Sequence, residues 1–315
     1  MMKSVVITGA TGTIGMALIN KCIEQEITVI TLVNPASNRL DRIPVSPLVK
    51  VIKCGLDDLA SAEPASLGIK PGIDAMFHLA WGGTFGDARN DRKLQERNVA
   101  YAVDAVRLAH RLGCKVFVGA GSQAEYGRVS GKLSADTPCD PENEYGRAKL
   151  GTSEETRRLC RELGIRHIWP RILSIYGPYD GEKTMVMSLI KQLLQGDRPA
   201  LTKGEQLWDY LYSEDAATAM MLLAEKGVDG KVYPIGSGIA RPLREYIEII
   251  RDEIDPKLPL GFGEVPYSPK QVMHLCADIS ELKEDTGFEP SVSFEEGAGR
   301  TIAFVRDRLL AFPQI

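Results

Sequence analysis

Tyr145 and Lys149 stand four residues apart in Tyr145-Gly146-Arg147-Ala148-Lys149. On a helix that spacing puts a phenol and an ammonium on one face, one turn apart. A free tyrosine titrates at about pH 10 and is a poor base at neutral pH. A neighbouring cation stabilises its phenolate, and an oxidised nicotinamide would do the same. Tyr145 could then exchange a proton with a substrate hydroxyl or carbonyl while hydride moves to or from the nicotinamide. Ser122, in Gly119-Ala120-Gly121-Ser122-Gln123-Ala124-Glu125-Tyr126-Gly127, falls just past an apolar run. From there its hydroxyl can reach the same cleft and hydrogen-bond the reacting oxygen. A turn serine and a solvated Tyr/Lys pair read the same way in isolation. Placement in the fold must decide between the two.

The element that would position this chemistry is the N-terminal stretch Val5-Val6-Ile7-Thr8-Gly9-Ala10-Thr11-Gly12-Thr13-Ile14-Gly15. A short apolar run stops at a glycine, and two more glycines follow at spacings of three. An amphipathic segment then begins, with Ile14, Leu18 and Cys22 on one face. This is a strand, a tight turn and a helix N-terminus, where backbone N–H groups and the helix dipole suit a pyrophosphate.

Further β-rich runs cover residues 26–33, 48–53, 74–80, 114–120 and 165–173. Between them lie helical patterns, the clearest at 91–112 and 145–163, the second ended by Gly164. The acidic pair Asp57-Asp58 would open another helix. Strands alternating with helices predict a parallel sheet covered on both faces, with ligands beyond the carboxyl ends of the strands. After about residue 175 the pattern is less regular. Helices are expected at 184–195, at 214–225 with Ser213 as cap, and at 242–254 with Pro242 at the start. Strands are expected at 207–212 and 231–235. Residues 255–270 read as a loop, and Asp278 and Phe294 open the last helical pieces. The expected fold is α/β, a Rossmann-type doubly wound parallel sheet with a smaller C-terminal substrate lobe. The dinucleotide-binding part would span 1–174 with about 207–235, and the substrate lobe 175–206 with 236–315.

The 315 residues are 44% apolar and 25% charged, with a net charge of −4 and no basic stripe. Nucleic acid and anionic membranes are poor partners for such a chain. No apolar run approaches the roughly 20 residues that cross a bilayer. Met1-Met2-Lys3-Ser4 leads straight into a strand, so no signal peptide is expected. The six cysteines form no CxxC pair and the four histidines no metal-ligand pattern. A reduced, cytoplasmic, metal-free protein is expected.

Taken together these motifs resemble the extended short-chain dehydrogenase/reductases of the nucleotide-sugar epimerase/dehydratase kind, across essentially the whole chain. The matching segments are Thr8–Gly15, His78-Leu79-Ala80-Trp81, Asn98, Ser122 with Tyr126-Gly127, Tyr145 with Lys149, Arg171–Pro178 and Trp208–Asp215. The resemblance implies catalysis by Ser122, Tyr145 and Lys149, with Lys149 also on the nicotinamide ribose. It implies cofactor contacts from Gly9, Thr11, Gly12, Thr13, Ile14, Asn34, Arg39, Leu56, Leu79, Ala80, Trp81, Asn98, Tyr145, Lys149 and Ile172. The substrate would be a nucleotide sugar, met by Ser122, Gln123, Ser174, Trp208, Arg241 and Lys270. Homodimers through the helices near Asp91 and Tyr145 are a family habit.

The departures narrow the chemistry. Dehydratases of the family carry Asp-Glu where Gln123-Ala124 stand, and its uronate decarboxylases use a glutamate at Ala124. Neither residue here does acid–base elimination, which leaves hydride and proton exchange at a sugar carbon, C4 above all. A 4-ketosugar reductase and a 4-epimerase both fit, with the reductase slightly favoured. A non-enzymatic dinucleotide sensor is the alternative of another class. Val33-Asn34 replaces the usual ribose-binding aspartate, with Ser37 and Arg39 behind it, which favours NADP over NAD. Gly55-Leu56 replaces an Asp-Leu. Ser174 and Trp208 replace an Asn and an Arg of the substrate grip, and Arg241 and Lys270 are candidate substitutes. Trp208 reads equally as a stacking platform or a core residue.

Overall fold

A computed structural model describes residues 2–311. In chain order the first half runs β1 (Ser4–Thr8), α1 (Thr13–Glu24), β2 (Thr28–Val33), β3 (Val49–Lys53), α2 (Pro64–Leu67), β4 (Ala75–His78), α3 (Arg92–Arg111), β5 (Val116–Gly119), β6 (Gly121–Ser122), α4 (Glu144–Leu163) and β7 (Arg166–Ile172). There follow β8 (Ser174–Tyr176), α5 (Met185–Leu194), β9 (Ala200–Leu201), β10 (Leu207–Trp208), β11 (Tyr210–Tyr212), α6 (Ser213–Lys226), β12 (Val232–Ile235), β13 (Arg241–Pro242), α7 (Leu243–Ile254), β14 (Gly261–Phe262), α8 (Ser280–Thr286) and α9 (Phe294–Ala311).

One parallel sheet in the order β12-β7-β5-β4-β1-β2-β3 dominates, and β6 continues beside β7. The alternation of side chains along β1 explains its two cores. Val5 and Ile7 face α1 and α6, packing with Leu18, Ile19, Cys22, Met220 and Leu223. Val6 faces the other way, with Val106 and Leu108 of α3, Leu112 just past its end and Cys160 of α4. A third core joins α5, α7 and α9 through Leu189, Ile190, Ile247, Ile250 and Ile302. The chain leaves β1 for β2 on one side, and β4 lies on the other. A ligand crevice forms at such a reversal.

Helix ends follow local chemistry. Asp91 accepts from Leu94 N at 3.1 Å to start α3, and Asn143 from Gly146 N at 2.8 Å to start α4. Gly164 closes α4 in the left-handed region at φ +70°.

Several sequence expectations are corrected. Asp57-Asp58 opens no long helix: Leu56–Asp58 is one 3-10 turn, with Asp58 accepting from Gly55 N. Ser213 is the first residue of α6, and Tyr212 is its N-cap position. Pro242 precedes α7 rather than opening it. The 207–212 strand is broken at Asp209. That buried carboxylate accepts from Ser237 N and Oγ, Gly238 N and Ala277 N, and so pins the loop after β12. The 255–270 loop carries β14, which pairs with β9.

Candidate active site

Strand β6 and helix α4 bring Ser122, Tyr145 and Lys149 into one cleft. Lys149 is buried; its Nζ donates to Ala120 O at 2.6 Å and lies 3.6 Å from the centre of the Trp81 ring. Burial draws its pKa down to about 7. Tyr145 is nearly closed off, with 9% of its surface exposed, and burial pushes its pKa up. The Ser122 hydroxyl and the Arg89 cation pull the other way. Trp81 meets Tyr145 edge-on at 6.2 Å and anchors its indole N–H on Gln95 at 2.8 Å.

Beneath Ser122 lies a buried polar cluster. Glu125 accepts from Ser122 N at 2.7 Å, from Trp169 Nε1 at 3.1 Å and from Arg171 Nε at 2.7 Å. The glutamate therefore holds the strand end that presents Ser122. In the sequence Arg171 reads only as part of a motif and Glu125 has no assigned role, although Ser122-Gln123-Ala124-Glu125 carries the capping-box spacing that the structure shows.

The cleft has a volume of about 320 Å³ and continues from Ser122 and Tyr145 past Leu79, Trp81 and Ile172 to Gly9, Gly12, Thr13 and Ile14. Gly9 takes φ +76°, and a Cβ there would meet Ala80 N at 2.6 Å. Gly12 is different: a Cβ there would find no atom closer than 3.6 Å, so packing does not demand a glycine. It precedes α1 without a side-chain cap, leaving the first N–H groups of the helix facing the cleft. That open cradle fits a pyrophosphate, which needs close backbone approach. The residues present fit a dinucleotide.

The other expected cofactor residues sit around this axis in different ways. Ala80 N donates to Thr8 Oγ1 at 3.3 Å. Asn98 spends its amide on both backbone groups of Gly82, bracing the loop after β4. Leu56 packs against the α3-side core. Asn34 closes a turn by accepting from Ala36 N, and Arg39 is exposed behind it. Thr11 O receives Arg42 Nη1 at 3.2 Å.

The expected substrate residues separate into three places. Ser122 is in the cleft, while Gln123 and Lys270 line an adjoining cavity of about 330 Å³. Trp208 donates its indole N–H to Ser174 Oγ at 2.8 Å, so the two replaced positions are partners. Arg241 pairs with Glu295 at 2.7 Å and faces a separate cavity of about 610 Å³ beside Tyr210 and Tyr246.

Three residues near the site carried no signal in the sequence. Asp180 lines the cleft beside Gly12 and Thr13, accepting from Gly181 N and Thr184 Oγ1, and burial raises its pKa to about 6. Arg42 reaches the glycine turn, its pKa lowered by burial and by Arg39 and Arg308 nearby. Arg89 stacks on Tyr145, its guanidinium carbon 4.9 Å from the ring centre. Among the described residues no group of His, Cys, Asp and Glu is placed to hold a metal ion, and no helix is long and apolar enough to cross a membrane.

Residues 5–236 match the model of the NAD dependent epimerase/dehydratase family. The chain is 26% identical to the dTDP-4-dehydro-6-deoxyglucose reductase of Escherichia coli, over 96% of this chain and 98% of that one. Among solved structures it resembles a UDP-N-acetylglucosamine 4-epimerase from Methanobrevibacter ruminantium M1 in complex with UDP-N-acetylmuramic acid (TM-score 0.87, 22% identity, 98% and 99% of the two chains). It also resembles a Streptomyces venezuelae dTDP-glucose 4,6-dehydratase with NAD bound (TM-score 0.85, 22% identity, 98% of each chain). These structural likenesses show a shared fold. The family match covers most of the chain, and the chain belongs to the NAD dependent epimerase/dehydratase family.

Proposed function

We propose that this family member transfers hydride at C4 of a nucleotide-activated hexose, reducing a 4-ketosugar. The observation that carries the reading is the convergence of Ser122, Tyr145 and Lys149 on the cleft that begins at Gly12. Gln123 and Ala124 stand beside Ser122 where elimination would need acids. The nearby Glu125 carboxylate is turned away, engaged by Arg171, Trp169 and Ser122 N.

A reduced nicotinamide held in this cleft would supply the hydride. Tyr145 gives its phenolic proton to the C4 oxygen, and Ser122 Oγ holds that oxygen in line. Lys149 holds the nicotinamide ribose from the floor of the cleft. Gly9, Gly12, Thr13 and Ile14 cradle the pyrophosphate, and Leu79, Trp81 and Ile172 wall the nicotinamide. Asn34, which brings no carboxylate, together with Arg39 and Arg42, favours a 2′-phosphate and hence NADP. The likeness to the Escherichia coli reductase supports the reductive direction. Gln123 and Lys270, in the adjoining cavity, and the bonded pair Ser174 and Trp208 would meet the nucleotide sugar.

A second reading is a 4-epimerase, which the same Ser122, Tyr145 and Lys149 would serve and which a 26% identical Bacillus subtilis relative named as an uncharacterized UDP-glucose epimerase supports. One experiment separates the two. The purified protein is mixed with dTDP-4-keto-6-deoxyglucose and NADPH, and loss of the reduced nicotinamide absorbance is followed. Consumption supports the reductase. Tightly held NAD in the purified protein, with turnover of UDP-sugars and no added cofactor, overturns it. A protein that binds NADP but turns over no sugar is the sensor.

The substrate lobe is assigned to 175–206 with 236–315 and the dinucleotide part to 1–174 with 207–235; residues 1 and 312–315 of these spans lie outside the described residues. Homodimers would pair through α3 and α4. The six cysteines are free thiols, which suits a reducing cytoplasm.

A further inference from the structure

Arg89 lies on the 3-10 turn that precedes α3, half-buried, stacked 4.9 Å from the centre of the Tyr145 ring. Its Nε is closed to solvent and meets no hydrogen-bond partner among the described residues. It forms no ion pair there either. Arg128, on the same cavity wall, is matched by Glu142 at 2.6 Å, which is the one carboxylate lining that wall.

The other charged groups that act on Tyr145, Lys149 and Glu125, are committed elsewhere. Lys149, on the same helix, is 5.9 Å from the ring centre and donates a hydrogen bond to Ala120 O. Glu125, on the turn after β6, is bound by Arg171, Trp169 and the Ser122 backbone. Ser122 on β6 and Trp81 after β4 are uncharged. Arg89 is the cation stacked on the tyrosine.

We infer that Arg89 is a second cation for Tyr145, a positioning residue that favours the phenolate from the face of the ring. A cation over an aromatic face is attracted by its electron density, and a phenolate ring is richer in electrons than a phenol ring. The stack therefore tightens as Tyr145 ionises, and the proton leaves more readily. In a water-poor cleft this attraction is larger than it would be on the surface. Arg89 lines the cavity that adjoins the cleft, whereas Trp81 and Lys149 line the cleft itself. It could thus act in both redox states of the cofactor, including the reduced one, which carries no positive ring.

The test is a spectroscopic titration, and it needs no turnover. Tyrosinate absorbance is followed against pH in the full-length protein saturated with NADP, and the Tyr145→Phe curve is subtracted to isolate Tyr145. Arg89→Met is expected to move the Tyr145 titration upward by roughly one pH unit, about a ten-fold loss in ionisation. Arg89→Lys keeps a cation and should restore part of that shift, whereas a role confined to packing would not distinguish lysine from methionine. An unchanged titration in Arg89→Met overturns the inference. So does an equal shift in both variants. Because no sugar is present, these results stand whichever reaction the protein performs. If kcat/KM is later available, a variant that raises KM with an unshifted pH profile places Arg89 on the substrate and overturns it too.

Discussion

The Glu125 carboxylate and the Arg171 guanidinium meet at 2.7 Å inside the protein, with 0% and 6% of their side-chain surfaces exposed, directly below Ser122. Burial pushes the Glu125 pKa up, and Arg171 opposes that. One residue of the pair holds the catalytic strand end, and the other stacks beneath Tyr126, 4.5 Å from its ring centre.

Removing one partner leaves a buried charge without its counter-ion. Glu125→Gln and Arg171→Met should each lower unfolding free energy by about 3–5 kcal/mol. The double variant should recover much of that, because no unpaired charge remains. Urea denaturation of the four proteins checks this; additive losses in the double variant would show that the two side chains do not act as a pair.

Tyr145→Phe removes the proton donor and little volume. Turnover should fall by about 10²–10⁴-fold. Cofactor affinity, read by thermal shift, should change little if, as proposed, Gly9 and Gly12 to Ile14 carry the pyrophosphate end. Full turnover in the variant would dismiss Tyr145 as the acid.

Lys149 gives a pH signature in stability. Its pKa is about 7 in the folded protein, against 10.5 for an unburied lysine. Between those values folding expels a proton, so stability rises with pH, at up to about 1.4 kcal/mol per unit. The buried thiols Cys22, Cys114 and Cys160, raised to about 12 from 9.0, act in the opposite direction above about pH 9. The cleanest window is therefore from pH 7 to 8.5. In urea melts across that window the wild type should gain stability relative to Lys149→Met. Parallel curves would mean that the lysine keeps its proton when folded.

Asp180 brings a carboxylate to the cradle between Gly12 and Thr13. Its pKa of about 6 means that it is mostly ionised at pH 7.5 and mostly neutral at pH 5. An ionised Asp180 repels the pyrophosphate, so the dissociation constant for NADP should rise as pH climbs through about 6. Asp180→Asn should bind more tightly at pH 7.5 and lose most of that dependence. Calorimetric titration at the two pH values decides it; a wild-type affinity that does not change between them counts against the repulsion.

The parts legible in the sequence were those written by near neighbours. The glycine turn, the alternating strand and helix periods, and Tyr145 and Lys149 one helical turn apart are all local. Backbone geometry translates such spacings directly into positions. Boundaries were less legible where a distant group intervened. The 207–212 strand breaks because Asp209 binds backbone from 237, 238 and 277. The substrate side was legible only in part, since a residue type does not name its partner. Arg241 reads as a free cation until Glu295, far along the chain, is seen to pair with it.

The chain by itself determined a doubly wound α/β fold with a dinucleotide turn at its start and a Ser–Tyr–Lys set at the strand ends. Those features follow from periodicity and turn chemistry within short windows. The three-dimensional structure alone decided that Arg89 covers Tyr145, that Arg171 pairs with Glu125 beneath Ser122, and that Asp180 lines the cleft with Gly12 and Thr13. Apart from the Ser122–Glu125 contact, which spans three residues, these join segments at long sequence separation. No period in the sequence encodes such a contact, because it depends on how whole elements pack.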